Sequence, residues 1–507
     1  MAVMKKKVLF INMEYTQDEI NEPINIDIML QYVPQELFNE SDIALMYRDL
    51  SDTENVMMEN FDIVLISTKI SSFPQMRSLL DLCKGKLVIV GGILAICAFD
   101  ELARLYPNVI FNTGEGETNI KSLLQLAYTA STINGFKQEI IDNKISNICF
   151  YDETSERIYC SKRTVCDLKL QEYPKHYKLD EIIAKKGLVR METSRGCPWN
   201  KCSFCIMPWK FCGETWRSFS SKKIENEISY LIKNGATQIL FTDEDFVGNY
   251  EHISSLCSII KKCTLSYKRA VLFGGSTSVL TLLKLGDKLD YCLREMQEAG
   301  ITFIFIGIES GCDSQLKRYC KGVTVSMNEK LIKKLQQYNF EIDFGFILFD
   351  ADTTMKELEE NLNFINRTGL KSTLSRFIKR LRVTPHTVFY ENYQSRNLII
   401  SDLNINELCY EYSFCNPEID LIYSYVKKLD VHILKESYQL QALIRSTATQ
   451  AEKSKAQRRL ALLRECGYNF LYQCVGYYKK KQILLKEDIG IIYNKCLEQG
   501  GIFNEEY

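Results

Sequence analysis

A chain of 507 residues exceeds one ordinary hydrophobic core and points to two or three domains. Its formal net charge of −1 provides no global field for nucleic acid or an acidic membrane, and no window is apolar for long enough to cross a bilayer. Nineteen cysteines, behind a start (MAVMKKKVLFINMEY) that lacks a signal-peptide pattern, read as reduced thiols of a cytoplasmic protein, and clusters among them suit metal or redox chemistry before disulfides.

Five short apolar runs come first, at 7–12, 42–47, 62–67, 86–92 and 108–114, alternating with amphipathic segments such as FPQMRSLLDLC (73–83). Runs buried on both faces and joined by crossovers predict a doubly wound, Rossmann-like parallel sheet over residues 1–130, with ligands beyond the carboxyl ends of its strands. Two of those ends are glycine-rich, Gly91-Gly92 and GEGET at 114–118. Glycine there serves a tight turn or a close approach to a ligand, and spacing leaves both open. Residues 131–185 read as a linker with a β-hairpin, formed around an Asp-Glu-Thr-Ser turn within 146–170.

The α/β alternation resumes at 186. Apolar runs in 188–193, 237–245, 270–277, 302–310, 341–350 and 374–385 predict six β/α units, a partial barrel over 186–395. Barrels of parallel strands place their chemistry at the carboxyl ends, where Cys197, Cys202, Cys205, Asp243, Glu244, Asp245, Glu309 and Ser310 all fall. Three thiolates on one loop with no second pair nearby do not make a closed zinc site; the nearest histidines are His176 and His252. They suit a [4Fe–4S] cluster with one iron open. Core thiols would follow strand or helix periodicity, whereas these straddle a Pro-Trp-Asn-Lys loop. Cys212, Cys312 and Cys320 read as buried bystanders. Residues 396–507 read as a helical domain whose basic residues form a solvated face and whose tyrosines pack its core.

SRGCPWNKCSFC (194–205) resembles the cluster-binding loop of the radical S-adenosylmethionine (SAM) enzymes, including the aromatic residue before the last cysteine; it has four residues, where the family has three, between the first two cysteines. Further stretches follow in order: 216–228, FTDEDFVGN (241–249), IGIESGCDSQLKRYCKGVT (306–324), 345–364 and VTPHTVFY (383–390). They resemble the cobalamin-binding subgroup, with Pro385-His386-Thr387 where Pro-Gly-Thr is usual. The N-terminal sheet, with VIVGG and GEGET, is similar to that subgroup's cobalamin domain. The resemblance covers residues ~5–395.

The resemblance implies that Cys197, Cys202 and Cys205 hold the cluster, that SAM chelates the open iron, and that electron transfer cleaves SAM to a 5′-deoxyadenosyl radical. Phe204 would lie against the adenine, and one of Asp243, Glu244 and Asp245 would accept from SAM's ammonium. Glu309 would suit the ribose hydroxyls, with Ser276 and Ser310 as further cofactor-binding candidates. Ser67, Gly91, Gly92, Gly114, Glu115 and Gly116 would contact the corrin and its tail. The four histidines, His176, His252, His386 and His432, all lie beyond residue 175, so no N-terminal histidine holds the cobalt's lower face.

The implied activity is methylation of an unactivated carbon of a specialised metabolite or peptide. Its alternatives are a rearrangement, cyclisation or oxidation without methyl transfer, and a non-catalytic iron–sulfur sensor. The implied partners are a small-molecule or peptide substrate and an external electron donor such as flavodoxin or ferredoxin, with no nucleic acid and no membrane.

Overall fold

The computed structural model describes residues 5–13, 22–48, 58–185, 187–371, 380–445 and 449–501. The five expected N-terminal strands form as β1 (Val8–Met13), β2 (Ile43–Arg48), β3 (Ile63–Thr68), β4 (Leu87–Gly92) and β5 (Val109–Asn112), all parallel. Their side chains alternate between two apolar layers. Leu9, Ile11, Val64 and Val90 pack to one side, and Val8, Phe10, Leu65 and Ile89 to the other, which is why every residue of β1 is buried. The strand order β2-β1-β3-β4-β5 reverses direction between β1 and β3, so the topological switch point lies at the carboxyl ends of those two strands.

The hairpin expected in a linker belongs instead to this sheet. It consists of β6 (Ile148–Asp152) and β7 (Arg157–Cys160), and β6 pairs antiparallel with β5 through Phe111–Cys149 and Asn112–Ile148. The reason is its own alternation: Ile148 and Phe150 enter one apolar layer while Cys149 enters the other. The connector that remains, after β7, is pinned to both neighbours at His176. Its Nδ1 meets Glu22 at 2.7 Å and its Nε2 meets Glu227, on the helix Ser221–Lys233, at 3.1 Å.

The second sheet has five parallel strands: β8 (Val189–Met191), β11 (Gln238–Phe241), β12 (Leu272–Ser278), β13 (Ile301–Glu309) and β14 (Glu341–Phe346), in the order β14-β13-β12-β11-β8. Between β8 and β11 lies a two-stranded antiparallel ribbon, β9 (Ser194–Gly196) with β10 (Trp216–Ser218). The sixth expected strand, 374–385, falls largely outside the described residues; past them, Arg380 bridges in parallel to Phe349.

The helices Pro417–Arg445, Gln450–Lys481 and Lys486–Gly500 do not enclose a core of their own. Phe470 and Leu471 belong to the same continuous apolar cluster as Leu362 and Phe364 of the barrel helix Met355–Arg367. Among the described residues no helix is long and apolar enough to cross a membrane.

Candidate active site

β9 enters the thiol loop through Gly196, whose φ is +90° and where a Cβ would fall 1.8 Å from the carbonyl oxygen of Thr215, the residue just before the neighbouring strand β10. Only glycine fits that crossing. The half-buried Cys197, Cys202 and Cys205 follow, with Asn200 in the left-handed region (φ +49°) inside the four-residue gap.

Three hydrogen bonds tie this loop to the chain after Arg318: Ser203 N–H to the Tyr319 carbonyl (3.0 Å), Ser203 Oγ to the Arg318 carbonyl (3.1 Å), and Trp199 Nε1 to the Cys320 carbonyl (2.7 Å). Backbone N–H groups of Asn200 and Trp199 point at the Cys197 sulfur, and that of Met207 at the Cys205 sulfur. Burial pushes all three thiols up, Cys202 to about 12, and each faces another across the loop. Among the described residues no three His, Cys, Asp or Glu side chains close around a single ion. A cubane cluster takes one thiolate per iron and receives N–H···S bonds on those sulfurs, so this donor set fits it.

The structure separates the three acids after β11. Asp243 is 3% exposed and accepts from the Thr193 amide (2.9 Å), the Thr193 hydroxyl and Ser194 Oγ (2.6 Å); burial nevertheless pushes it up to about 7. Asp245 is fully buried and accepts from Thr281 Oγ1 (2.6 Å), Thr277 Oγ1 (2.9 Å) and the Gly248 amide (3.2 Å). Both carboxylates thus hold strands and loops together. Glu244, its side chain 21% exposed, accepts from the Gly196 amide at 2.9 Å and from Lys210 Nζ at 2.8 Å, directly beside the thiol loop.

Glu309 ends β13 at a register shift with φ +67° and accepts from Lys321 Nζ at 2.9 Å. A non-glycine residue in that conformation is strained, a state commonly maintained at functional sites. Its charge reaches Cys202 and Cys205. Ser276 is half-buried at the end of β12, whereas Ser310 is internal, bonded to Gln315 (2.7 Å) and Asn361 (2.9 Å). Phe204 packs edge-on against Tyr319 with ring centroids 5.8 Å apart. Cys212 and Cys320 are exposed, contrary to the buried placement expected for them; Cys312 is buried against Glu360 and Ser314.

The sheet candidates divide in the same way. Ser67 and Gly91 lie in register with Asn12, forming one cross-strand row at the switch point. Asn12 is fully buried, and neither its Oδ1 nor its Nδ2 has a partner. A buried amide without hydrogen bonds costs about 1–3 kcal/mol, and a polar ligand at the strand ends would relieve it. The sequence signal was available, a lone Asn within the apolar run KVLFINM, though it had not singled out this residue.

The remaining glycines serve packing. A Cβ at Gly92 would meet the Thr68 carbonyl at 2.2 Å, at Gly114 the Asn147 side chain at 2.6 Å, and at Gly116 the Met29 sulfur at 2.6 Å. Glu115 is committed elsewhere. It pairs with Arg195 (3.1 Å) and Arg217 (2.7 Å) while accepting from the Cys166 amide (2.7 Å). Burial alone would raise its pKa, but the two guanidiniums hold it at about 2. Arg195 also binds Glu117 (2.6 Å) and Glu192 (2.8 Å). Because Arg195 immediately precedes Gly196 and Cys197, this network joins the strand ends of the sheet to the mouth of the barrel. Trp209 Nε1 reinforces the seam by donating to the Ile96 carbonyl at 3.1 Å.

Residues 191–365, the stretch that contains the thiol loop, the three acids and Glu309, match the radical SAM superfamily. The match covers about a third of the chain and marks that stretch as a radical SAM domain. Proteins of that superfamily work with a [4Fe–4S] cluster and SAM, the groups that the thiol loop and the acids around it suit.

Two relatives are each 26% identical to this chain. The 4′-phospho-dehydrooxetanocin synthase of Priestia megaterium aligns over 296 residues, 56% of this chain, and the bacteriochlorophyllide d C-8(2)-methyltransferase of Chlorobaculum tepidum over 326 residues, 62% of this chain. The alignments take in 38% and 64% of those proteins' own lengths. The whole fold is shared with the cobalamin-dependent SAM radical enzyme OxsB solved with aqua-cobalamin (TM-score 0.82, 18% identity, 98% of this chain and 80% of that one). It is also shared with the radical SAM methyltransferase TsrM from Kitasatospora setae (TM-score 0.62, 12% identity, 98% and 100%).

Proposed function

We propose that this radical SAM protein is a cytoplasmic, cobalamin-dependent enzyme that methylates an unactivated carbon of a small molecule or peptide, drawing electrons from a carrier such as flavodoxin or ferredoxin. The observation that carries the reading is the seam: the Arg195–Glu115–Glu117 network sets a sheet with an orphaned amide at its switch point against the strand ends that carry three cysteines. When bound, the cluster would supply the electron that cleaves SAM, and cobalamin a cobalt centre able to carry a methyl group.

The residues of the chain then have separable tasks. Cys197, Cys202 and Cys205 hold the cluster. Glu244, fixed by the Gly196 amide, presents a carboxylate oxygen to SAM's ammonium, and Glu309 presents one to the ribose hydroxyls. Ser276, half-buried toward the end of β12, and Phe204, packed on Tyr319, would be further contacts for SAM. Asn12 and Ser67 give an amide and a hydroxyl to the cobalamin tail, with Gly91 leaving room for it. His176 is bonded through both ring nitrogens, and His386 is stacked on Trp209 at 3.9 Å and on Phe99 of the sheet domain at 5.6 Å.

A second reading, radical chemistry without methyl transfer, has its own support, because the synthase and the methyltransferase relatives are equally identical to this chain. One experiment separates the two. The protein is reconstituted without oxygen with iron, sulfide and cobalamin, reduced, and given SAM with a deuterated methyl group; the bound corrinoid is then weighed by mass spectrometry. Labelled methylcobalamin supports methylation. Unlabelled cobalamin with SAM still cleaved supports the second reading, and failure to bind any corrinoid refutes methylation through cobalamin and leaves only the radical SAM chemistry standing.

A further inference from the structure

Lys321 lies in the CKGVT stretch after the short helix Asp313–Arg318, and neither of its neighbours has an ordinary helical backbone. Cys320 has φ +50° and Gly322 φ +75°, and a Cβ on Gly322 would strike the Trp199 ring at 2.5 Å. The turn is therefore shaped against the thiol loop, and the hydrogen bonds from Ser203 and Trp199 fix its register there. This aims the Lys321 ammonium inward. Its side chain is 8% exposed, among the described residues its carboxylate partner is Glu309, and its charge is felt at Cys197, Cys202 and Cys205. Burial alone would favour the neutral amine, but the Glu309 carboxylate at 2.9 Å outweighs it and keeps the lysine charged.

A buried ion pair is weak evidence for stability, since desolvating two charges offsets most of their attraction. The placement of this pair suggests another use. One-electron reduction, with the electron coming from a low-potential carrier, adds a negative charge to the cluster and its three thiolates, and net charge near a cluster sets its potential. In a shielded site a fixed cation is felt strongly.

We infer that Lys321 is a positioning residue of the cluster site, a fixed cation that raises the potential at which the thiol-loop cluster accepts its electron, with Glu309 as the opposing charge. This rests on the cluster reading proposed above.

The test is an anaerobic potentiometric titration of the reconstituted full chain without SAM, followed by electron paramagnetic resonance, with iron content measured alongside. Lys321→Met is expected to move the midpoint to lower potential and Glu309→Gln to higher potential. The double variant should return toward wild type, and Lys321→Arg should stay near it. Opposite shifts from the two members of one pair are a signature that a merely structural bridge does not give. Unchanged midpoints at full iron content, or shifts of both single variants in one direction, would overturn the inference. If Lys321→Met loses iron, Glu309→Gln still decides, because an unmoved potential there overturns it too. A wild-type chain that holds no cluster sinks the cluster reading itself, and iron content distinguishes that failure from the others.

Discussion

Two acidic motifs sit at strand ends in this molecule, Asp243-Glu244-Asp245 in the barrel and Glu115-Gly116-Glu117 in the N-terminal sheet, and they are used differently. In the barrel, the outer two carboxylates are saturated by hydroxyl and amide donors of the protein while the middle one faces the thiol loop. In the sheet, both carboxylates converge on Arg195 and neither is left for a ligand. Position at a strand end therefore nominates an acid for function, but the donors arriving from elsewhere in the chain decide it.

The thiol loop provides the reference for breaking this comparison. Replacing Cys197, Cys202 and Cys205 by alanine should abolish both the cluster absorbance and SAM cleavage; an intact cluster in that variant would refute the site. The next largest effect falls on the sheet motif. Arg195→Met strands Glu117 and Glu192 without their guanidinium and should cost about 3–5 kcal/mol in denaturant unfolding. A cost below about 1 kcal/mol would mean that the seam is not held by charge.

In the barrel motif, Asp245→Ala should lose about 3 kcal/mol through three orphaned donors. Glu244→Gln should leave unfolding almost unchanged while SAM cleavage falls at least about tenfold. The contrast fails if Glu244→Gln destabilises as much as Asp245→Ala.

His176 sharpens the comparison with a group held by two acids. Burial would lower its pKa, but its hydrogen bonds to Glu22 and Glu227 raise it from 6.5 to about 9. Because the folded-state value is the higher one, the stabilisation is complete below about pH 6.5 and is lost as pH rises through 9. Some 2 kcal/mol should go between about pH 7 and 9. His176→Gln should flatten that slope in stability measured against pH.

The smallest effect has the opposite sign. Asn12→Leu, which removes an unpartnered amide, should stabilise the cofactor-free protein by about 1 kcal/mol while weakening cobalamin binding in an equilibrium titration.

What could be read from the sequence follows the range of the interactions involved. The N-terminal strands were legible because runs such as DIVLIS are apolar on both faces, and the thiol loop because its spacing is local. The roles of Asp243 and Asp245 were not, since they depend on Thr193, Ser194, Thr277 and Thr281, which arrive from other strands, a loop and a helix. For GEGET the sequence left a turn and a ligand contact both open, because Arg195 lies 80 residues away from Glu115 and no periodicity announces that pair. The hairpin at β6–β7 was visible as a hairpin, but its docking onto β5 was not. Lys321 passed unnoticed beside the more conspicuous Glu309.

The packing of Trp199 against Gly322 has a consequence for the order of assembly. The ring and the turn it rests on are 121 residues apart at the Trp199–Cys320 bond, so the thiol loop takes its final shape only when β13 and the segment after it are already in place. Contacts this distant in sequence form late, because the intervening chain must first be ordered. A nascent or partly folded chain thus carries three unarranged thiols, which reach their final arrangement only after β13 and the turn behind it are in place.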